Sequence, residues 1–429
     1  MPNDKPTAIT TSPQGEQCQV EFKTPKKYST GSKSLPVFVS LTDINDDKRS
    51  DIIVANQLAN NVGVLFNHDD KQCQVEFKTP KKYSTGSKSL PVFVSLTDIN
   101  DDKRSDIIVA NQLANNVGVL FNHDDSEFDY ETLRPNEYLS GPAYISVVDV
   151  NNDAKLDIIV ANTMRNNVGV LLNDGFDQFP SVKHYDTGKS TNLSGIAVVD
   201  INGDKKPDII VTAQNTNSVS VFLNSGGGQF SNKKLYNIPS SVGVMCPQVV
   251  DVNGDTRPDI IVANSGDASI GISFNSGNGK FTKWTTFSTG KGSQPKSVSV
   301  VDVNGDNKPD LIVGNFKTNN VGVLLNAGNG KFLSQKIYST GLNSQPLSVF
   351  VADMNCDNKP DIIIANSNKK NIGIFFNFGN GTFQRQTTYG TGGSTKPWSV
   401  AVGNVNDDNK PDIIFSDTAK HEIVILLRS

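Results

Sequence analysis

Apolar and polar residues alternate over short runs along almost the whole chain, and the runs recur in sets of four. In the sixth set, Ser297 to Val301 alternates, Asp310 to Val313 is β-branched, and Asn320 to Leu325 is a third run. After a turn at Gly328 to Gly330, Phe332 to Tyr338 is the fourth. Runs of this length, rich in Val and Ile and bounded by Gly, Asn and Pro, predict strands. No segment sustains the apolar period of about 3.6 residues that marks a helix, so helix is expected to be almost absent.

The sets return at a fixed distance. An acidic loop joins the first two runs of each set, and from Asp98 onward these loops start 51 residues apart without exception. A strict period of roughly 50 residues means a propeller, solenoid or array. Four antiparallel strands make one propeller blade, and closing the blades into a ring protects the sheet edges. The last set stops after its third strand, Glu422 to Leu427, whereas the N-terminus supplies an orphan fourth-strand segment, Val20 to Tyr28. This offset predicts that the N-terminal strand closes the last blade.

Residues Gln17 to Asp70 recur unchanged as Gln72 to Asp125, an offset of 55. Two blade counts are therefore open, eight, or seven plus one duplicated unit. Eight is expected, because an unpaired blade would leave a bare edge and an uncovered apolar face. The predicted organisation is a polar, unstructured tail over residues 1–17 and one all-β propeller over 18–429.

The loops carry the strongest chemical signal. Their positions 1, 3, 5, 7 and 9 are Asp43, Asn45, Asp47, Arg49 and Asp51 in the first unit, and Asp98, Asn100, Asp102, Arg104 and Asp106 in the second. They continue as Asp149, Asn151, Asp153, Lys155 and Asp157, then Asp200, Asn202, Asp204, Lys206 and Asp208, then Asp251, Asn253, Asp255, Arg257 and Asp259. The last three are Asp302, Asn304, Asp306, Lys308 and Asp310; Asp353, Asn355, Asp357, Lys359 and Asp361; and Asn404, Asn406, Asp408, Lys410 and Asp412.

Side-chain oxygens at 1, 3, 5 and 9, with the backbone carbonyl at 7, can converge on one hard cation, since Ca²⁺ takes about six to eight oxygen ligands. Position 4 is Gly, Asn or Asp in seven of the eight loops, types that tolerate the left-handed backbone of a tight wrap. Seven loops hold three carboxylates each, and like charges so close repel unless a cation intervenes. An EF-hand is excluded, because position 12 is Val54, Val160 or Val262 where a bidentate Glu should stand and the Gly at position 6 is missing. An Asx-rich turn that merely caps strands is the competing reading for any one copy, but it does not explain eight in register. The expectation is about seven Ca²⁺ sites. The eighth loop is the doubtful one, with Asn404 in place of a carboxylate and Asp407 as a nearby acid.

With its D-x-N-x-D-x-x-x-D loop followed by Ile-Ile-Val, its Val-Gly-Val strand and its Gly-x-Gly-x-Phe turn, the unit resembles the FG-GAP/VCBS repeat family. Its best-known members form the propeller of integrin α subunits. The resemblance covers residues 18–429 and implies a Ca²⁺-bearing β-propeller used for adhesion, ligand binding or as a scaffold. It also implies an extracellular protein. Against that, Met1 to Glu16 is polar with no apolar core like that of a signal peptide, and no stretch approaches a membrane span. The family includes lectins and non-catalytic parts of hydrolases and lyases, so the resemblance does not choose a ligand.

Composition narrows the function classes. With 44 acidic and 40 basic residues the net charge is −4, which argues against the basic footprint of a nucleic-acid binder. Cys18, Cys73, Cys246 and Cys356 form no C-x-x-C and no close framework, so neither zinc site nor disulfide scaffold is supported. His68, His123, His184 and His421 have no nucleophile or second carboxylate at a suggestive spacing, and the unbroken period leaves no room for the insertions that build a cleft.

At the mouth of each inner strand the residues vary: Val37, Val92, Ala143, Ser194, Met245, Lys296, Leu347 and Trp398. Met245, Lys296 and Trp398 are the expected ligand contacts. The competing reading is that strand mouths vary because nothing presses on them. The chain reads as a monomeric calcium-bound propeller acting as an adhesion or binding module for a protein or glycan, without catalysis. A Ca²⁺-dependent polysaccharide lyase or hydrolase-like enzyme on the same fold is the alternative.

Overall fold

The computed structural model describes residues 26–428 apart from 46, 69–75, 78–80, 124–126, 134–138, 176–178, 232, 240–242, 391–394, 405–409 and 421. The N-terminal tail and residues 20–25 of the expected closing strand lie outside the described residues. Eight four-stranded antiparallel sheets follow one another around a ring, and no helix occurs among the described residues. In blade 1 the inner strand is Pro36–Thr42, the second Asp51–Asn56, the third Asn61–Leu65 and the outer Lys81–Ser84.

The ring has eight blades and closes as the strand offset predicts. Blade 8 takes Pro397–Gly403, Asp412–Asp417 and Glu422–Leu426 from the C-terminus, and its outer strand is Lys26–Ser29, with Lys26 opposite Ile425. The duplicated segment explains why neither copy is surplus. The Lys-Lys-Tyr-Ser of the first copy completes blade 8, and the same tetrapeptide of the second copy completes blade 1. Blade 2 then takes its outer strand from Glu127–Thr132, just beyond the duplication.

The core lies between blades. Every second strand is buried at all six positions, as in Asp157–Asn162 and Asp259–Asn264, because each of its faces meets a neighbouring blade. That is why these strands are continuous Ile and Val runs rather than alternating ones. At the closure, Val39, Ile52, Val54 and Leu65 of blade 1 pack on Ile414, Ile423, Ile425 and Leu427 of blade 8.

Two local features differ from expectation. The fourth run of the sixth unit is split: Lys331–Phe332 pairs back on Asn326–Gly328 across a tight turn, and the outer strand proper is Lys336–Ser339. Left-handed backbone at Gly328, Asn329 and Gly330 makes this small hairpin possible. The other is a break in pairing at the mouth of each inner strand. Val37, Val92, Ala143, Ser194 and Lys296 are skipped in the ladder to the second strand. Such bulges re-aim a side chain, so the varied ring coincides with the distorted end of the strand.

Candidate metal centres

Each acidic loop joins the inner and second strands of its blade, at the end of the ring opposite the strand mouths. The loop of blade 5 serves for all. The Asp251 carboxylate accepts backbone N–H bonds from Asn253 at 3.0 Å, Gly254 at 2.7 Å and Asp255 at 3.3 Å on Oδ1, and from Thr256 at 2.7 Å on Oδ2. Asn253 Oδ1 accepts from the Asp255 N–H at 2.9 Å, and Asp255 Oδ1 from the Arg257 N–H at 3.0 Å. Four successive N–H groups turned around one carboxylate form a concave nest.

Wrapping the chain this tightly needs left-handed backbone at two points. Position 4 is one, with φ of 82° at Gly203 and Gly254, 65° at Asn152 and 61° at Asp101 and Cys356. Position 6 is the second and was not anticipated; Lys48, Ala154, Lys205 and Thr256 all have positive φ there.

Position 9 has a distinct role. Asp259 is fully buried; its Oδ2 accepts the Val252 N–H at 3.1 Å and its Oδ1 the Asn275 N–H at 2.8 Å. Asp51, Asp106, Asp157, Asp208, Asp310 and Asp361 do the same in their blades. Burial is the main reason their carboxyls lie above the ordinary carboxylate value, at about 7 for Asp51 and Asp361 and about 6 for Asp106, Asp157, Asp208, Asp259 and Asp310. The carboxylates at positions 5 and 1 of the same loop push in the same direction.

The side chain at position 7 turns back on position 5. Arg49 reaches Asp47 at 3.2 Å, Arg104 reaches Asp102 at 3.1 Å and Lys359 reaches Asp357 at 3.2 Å. Lys206 pairs with Asp204, Arg257 with Asp255 and Lys308 with Asp306. The hydrogen bond from Lys308 holds the Asp306 carboxyl below its usual range. Lys155 instead donates to the Asp174 carbonyl at 3.0 Å.

The loops thus wind positions 1, 3, 5 and 9 into one tight wrap without closing their side chains on a common point, and backbone N–H groups and the position-7 cation occupy much of their hydrogen-bonding capacity. Among the described residues, no three His, Cys, Asp or Glu side chains converge closely enough to hold an ion between them. A carboxylate offers about four lone-pair sites, and the two oxygens of Asp259 each show one accepted N–H. The donor chemistry, carboxylate and amide oxygens with a carbonyl, suits a hard cation. In blade 8, Asn406 and Asp408 lie outside the described residues. Asp412 is buried and accepts the Arg428 N–H at 2.8 Å.

Sequence reasoning missed an Asn at the end of the third strand that links neighbouring blades in six of them. In blade 4, Asn224 donates its N–H to Asp208 at 2.7 Å, and its Nδ2 bonds the Val150 carbonyl in the preceding blade's loop at 2.8 Å and the Pro207 carbonyl at 3.1 Å. Asn173, Asn275, Asn326 and Asn377 repeat the link. The available signal was an Asn at one register in seven units. Blade 8 has Arg428 there, whose Nη1 donates to Cys356 Sγ at 3.0 Å in the loop of blade 7.

At the opposite end, Met245 packs on the cluster between blades 5 and 6, Lys296 is half-buried, and Trp398 is 42 % exposed. Trp398 and Lys296 lie two blades apart. The cation over the indole is Lys396, 6.0 Å from its centroid.

Six overlapping matches to the FG-GAP-like repeat cover residues 98–160, 149–211, 200–262, 251–313, 302–364 and 357–415. The chain is 29 % identical over 239 residues to integrin alpha-7 of Homo sapiens, a match spanning 46 % of this chain and only 20 % of that protein. A lectin from Agrocybe aegerita, described as recognising non-reducing terminal N-acetylglucosamine, has a similar fold. Its TM-score is 0.52 at 19 % identity, covering 85 % of this chain and 94 % of its own. Virginiamycin B lyase from Staphylococcus aureus gives 0.51 at 15 % identity, covering 80 % and 96 %. Likeness at such identity speaks for the fold alone. The repeat matches extend over well more than half of the sequence, and the chain belongs to the FG-GAP-like repeat family.

Proposed function

We propose that this chain is a calcium-stabilised propeller whose strand-mouth end binds a protein or glycan ligand, with no catalysis of its own. The observation that carries the calcium reading is the buried Asp at position 9. In seven blades it is fully buried and pushed upward by burial and by two neighbouring carboxylates, as at Asp51 and Asp361. A divalent cation among positions 1, 3, 5 and 9 would relieve all three charges. Weak sites of this kind fill at the roughly millimolar calcium found outside cells, which agrees with adhesion as the role of the integrin relative.

His184 sits in an outer strand opposite Gly169 and belongs to none of the acidic loops, so it lends no support to acid–base chemistry there. The test is equilibrium dialysis of metal-stripped protein against Ca²⁺, followed by glycan-array and pull-down screening of the loaded form. About seven ions per chain are expected. No uptake at millimolar calcium would overturn the calcium reading, and depolymerisation of an acidic polysaccharide would replace the binding module by an enzyme.

A further inference from the structure

The net charge of −4 conceals a molecule with two unlike ends. The acidic loops gather at one face of the ring. At the mouth face, the turns between second and third strands meet the crossovers between blades, as where the Leu58 N–H bonds the Ser34 carbonyl at 2.9 Å. Among the described residues of these mouth-face turns there are ten Lys or Arg, all exposed, and a single acid, Asp267. Lys33, Lys88, Arg165, Lys291, Lys369 and Lys420 show how widely they are spread, from blade 1 through to blade 8.

Apolar side chains stand between these cations. Leu58, Leu113 and Met164 occupy equivalent turn tips of blades 1, 2 and 3 and are 54 %, 50 % and 54 % exposed. Leu342, at a crossover, is 83 % exposed, and Trp398 is 42 % exposed beneath Lys396. Turn tips of Asn, Gln and Ser would fold as well, since these side chains project beyond the packed strands.

We propose that the mouth face docks on an anionic lipid surface, with the apolar tips entering the headgroup layer and the ring of cations facing acidic headgroups. The inference rests on the reading of the mouth as the binding end and goes beyond it, to a partner that is neither protein nor glycan. A linear polyanion is followed by a stripe or groove of cations, whereas here the cations lie all round a disc. A planar array of negative charge engages them together. Exposed Leu, Met and Trp interleaved with Lys and Arg are the side chains that favour the membrane interface, and no helix among the described residues could cross it.

The experiment is co-sedimentation of calcium-loaded, full-length protein with phosphatidylcholine vesicles and with vesicles rich in phosphatidylserine. Binding to the acidic vesicles at least about tenfold tighter is expected, weakening as salt screens the cations. The triple variants Leu58→Ser/Leu113→Ser/Met164→Ser and Lys369→Gln/Lys370→Gln/Lys420→Gln should each lose about fivefold or more with unchanged melting curves. The control Lys280→Gln/Lys331→Gln, on the small hairpins at the loop end opposite the mouth, should bind normally. Equal binding to both vesicle types, or equal loss in the control, overturns the proposal. Retention of a soluble sulfated polysaccharide without vesicle binding, lost in the lysine triple, would overturn it while leaving the mouth as the binding end. Indifference of every partner to both triples would remove that reading as well.

Discussion

Asn224 Nδ2 donates to the carbonyl of Val150 at 2.8 Å, joining two blades across 74 residues of sequence. The same side chain bonds the Pro207 carbonyl and, through Oδ1, accepts the Gly226 N–H at 2.8 Å. All of this lies in a buried seam, so truncation leaves carbonyls without partners. Asn224→Ala should cost about 2–3 kcal/mol. Ser225→Ala, whose hydroxyl bonds Gln229 at the surface, should cost less than about 0.5 kcal/mol. Denaturant titration of the two variants decides, and equal midpoints would remove the seam from the account of stability.

The architecture was legible because Asp-Ile-Ile-Val-Ala-Asn and its variants recur at one spacing, and the missing last strand could be counted. The loop was legible too, down to left-handed backbone at Gly203 and Gly254. What escaped were features that depend on neighbours in space. An Asn after a strand reads as a turn former, and nothing in the string reveals that Asn173 reaches Ile99 in the previous blade. The bulges at Ala143 and Ser194 follow from fitting the strand mouth at the crossover, which no local propensity encodes. Charge was misleading as an average, since Lys369 and Asp306 cancel in the sum and stand at opposite ends of the molecule.

Removing calcium should soften the whole ring. If the loops hold Ca²⁺, bound metal adds to stability by mass action, and stripping it exposes the repulsion among Asp251, Asp255 and Asp259. Excess EDTA is expected to lower the melting temperature by many degrees. Asp255→Ala in calcium should lower it less, because six other full loops remain. Scanning calorimetry with and without chelator makes the comparison, and superimposable traces would refute the calcium reading.

The sites should also be unequal. The loop of blade 8 has Asn404 where the others carry a carboxylate, so its ligand charge is the lowest. It is expected to be the last to fill and the first to empty in a calcium titration. Asn404→Asp should add one tighter site, and an unchanged stoichiometry and affinity would argue that this loop holds no ion in either form.

The position-9 acids give the metal-free protein an unusual pH dependence. Their folded pKa values, about 6 for Asp157 and Asp259 and about 7 for Asp51, are raised above the ordinary 3.8 mainly by burial. A raised folded pKa means that the folded state binds the proton more tightly than the unfolded state. The associated stability is therefore complete below the unfolded value and is lost as pH rises through the folded one. The window runs from about 4 to about 7. Calcium-depleted protein should melt several degrees higher at the acid end of that window than at the neutral end. Loaded protein should run the other way, because the cation holds the same carboxylates ionised and protons compete with it. Thermal melts across the window, with calcium removed beforehand and then restored, test both slopes. A metal-free protein that loses stability steadily on acidification from neutrality would show that these buried acids are ionised and already satisfied by their backbone N–H partners, and would remove the raised pKa on which the calcium reading leans.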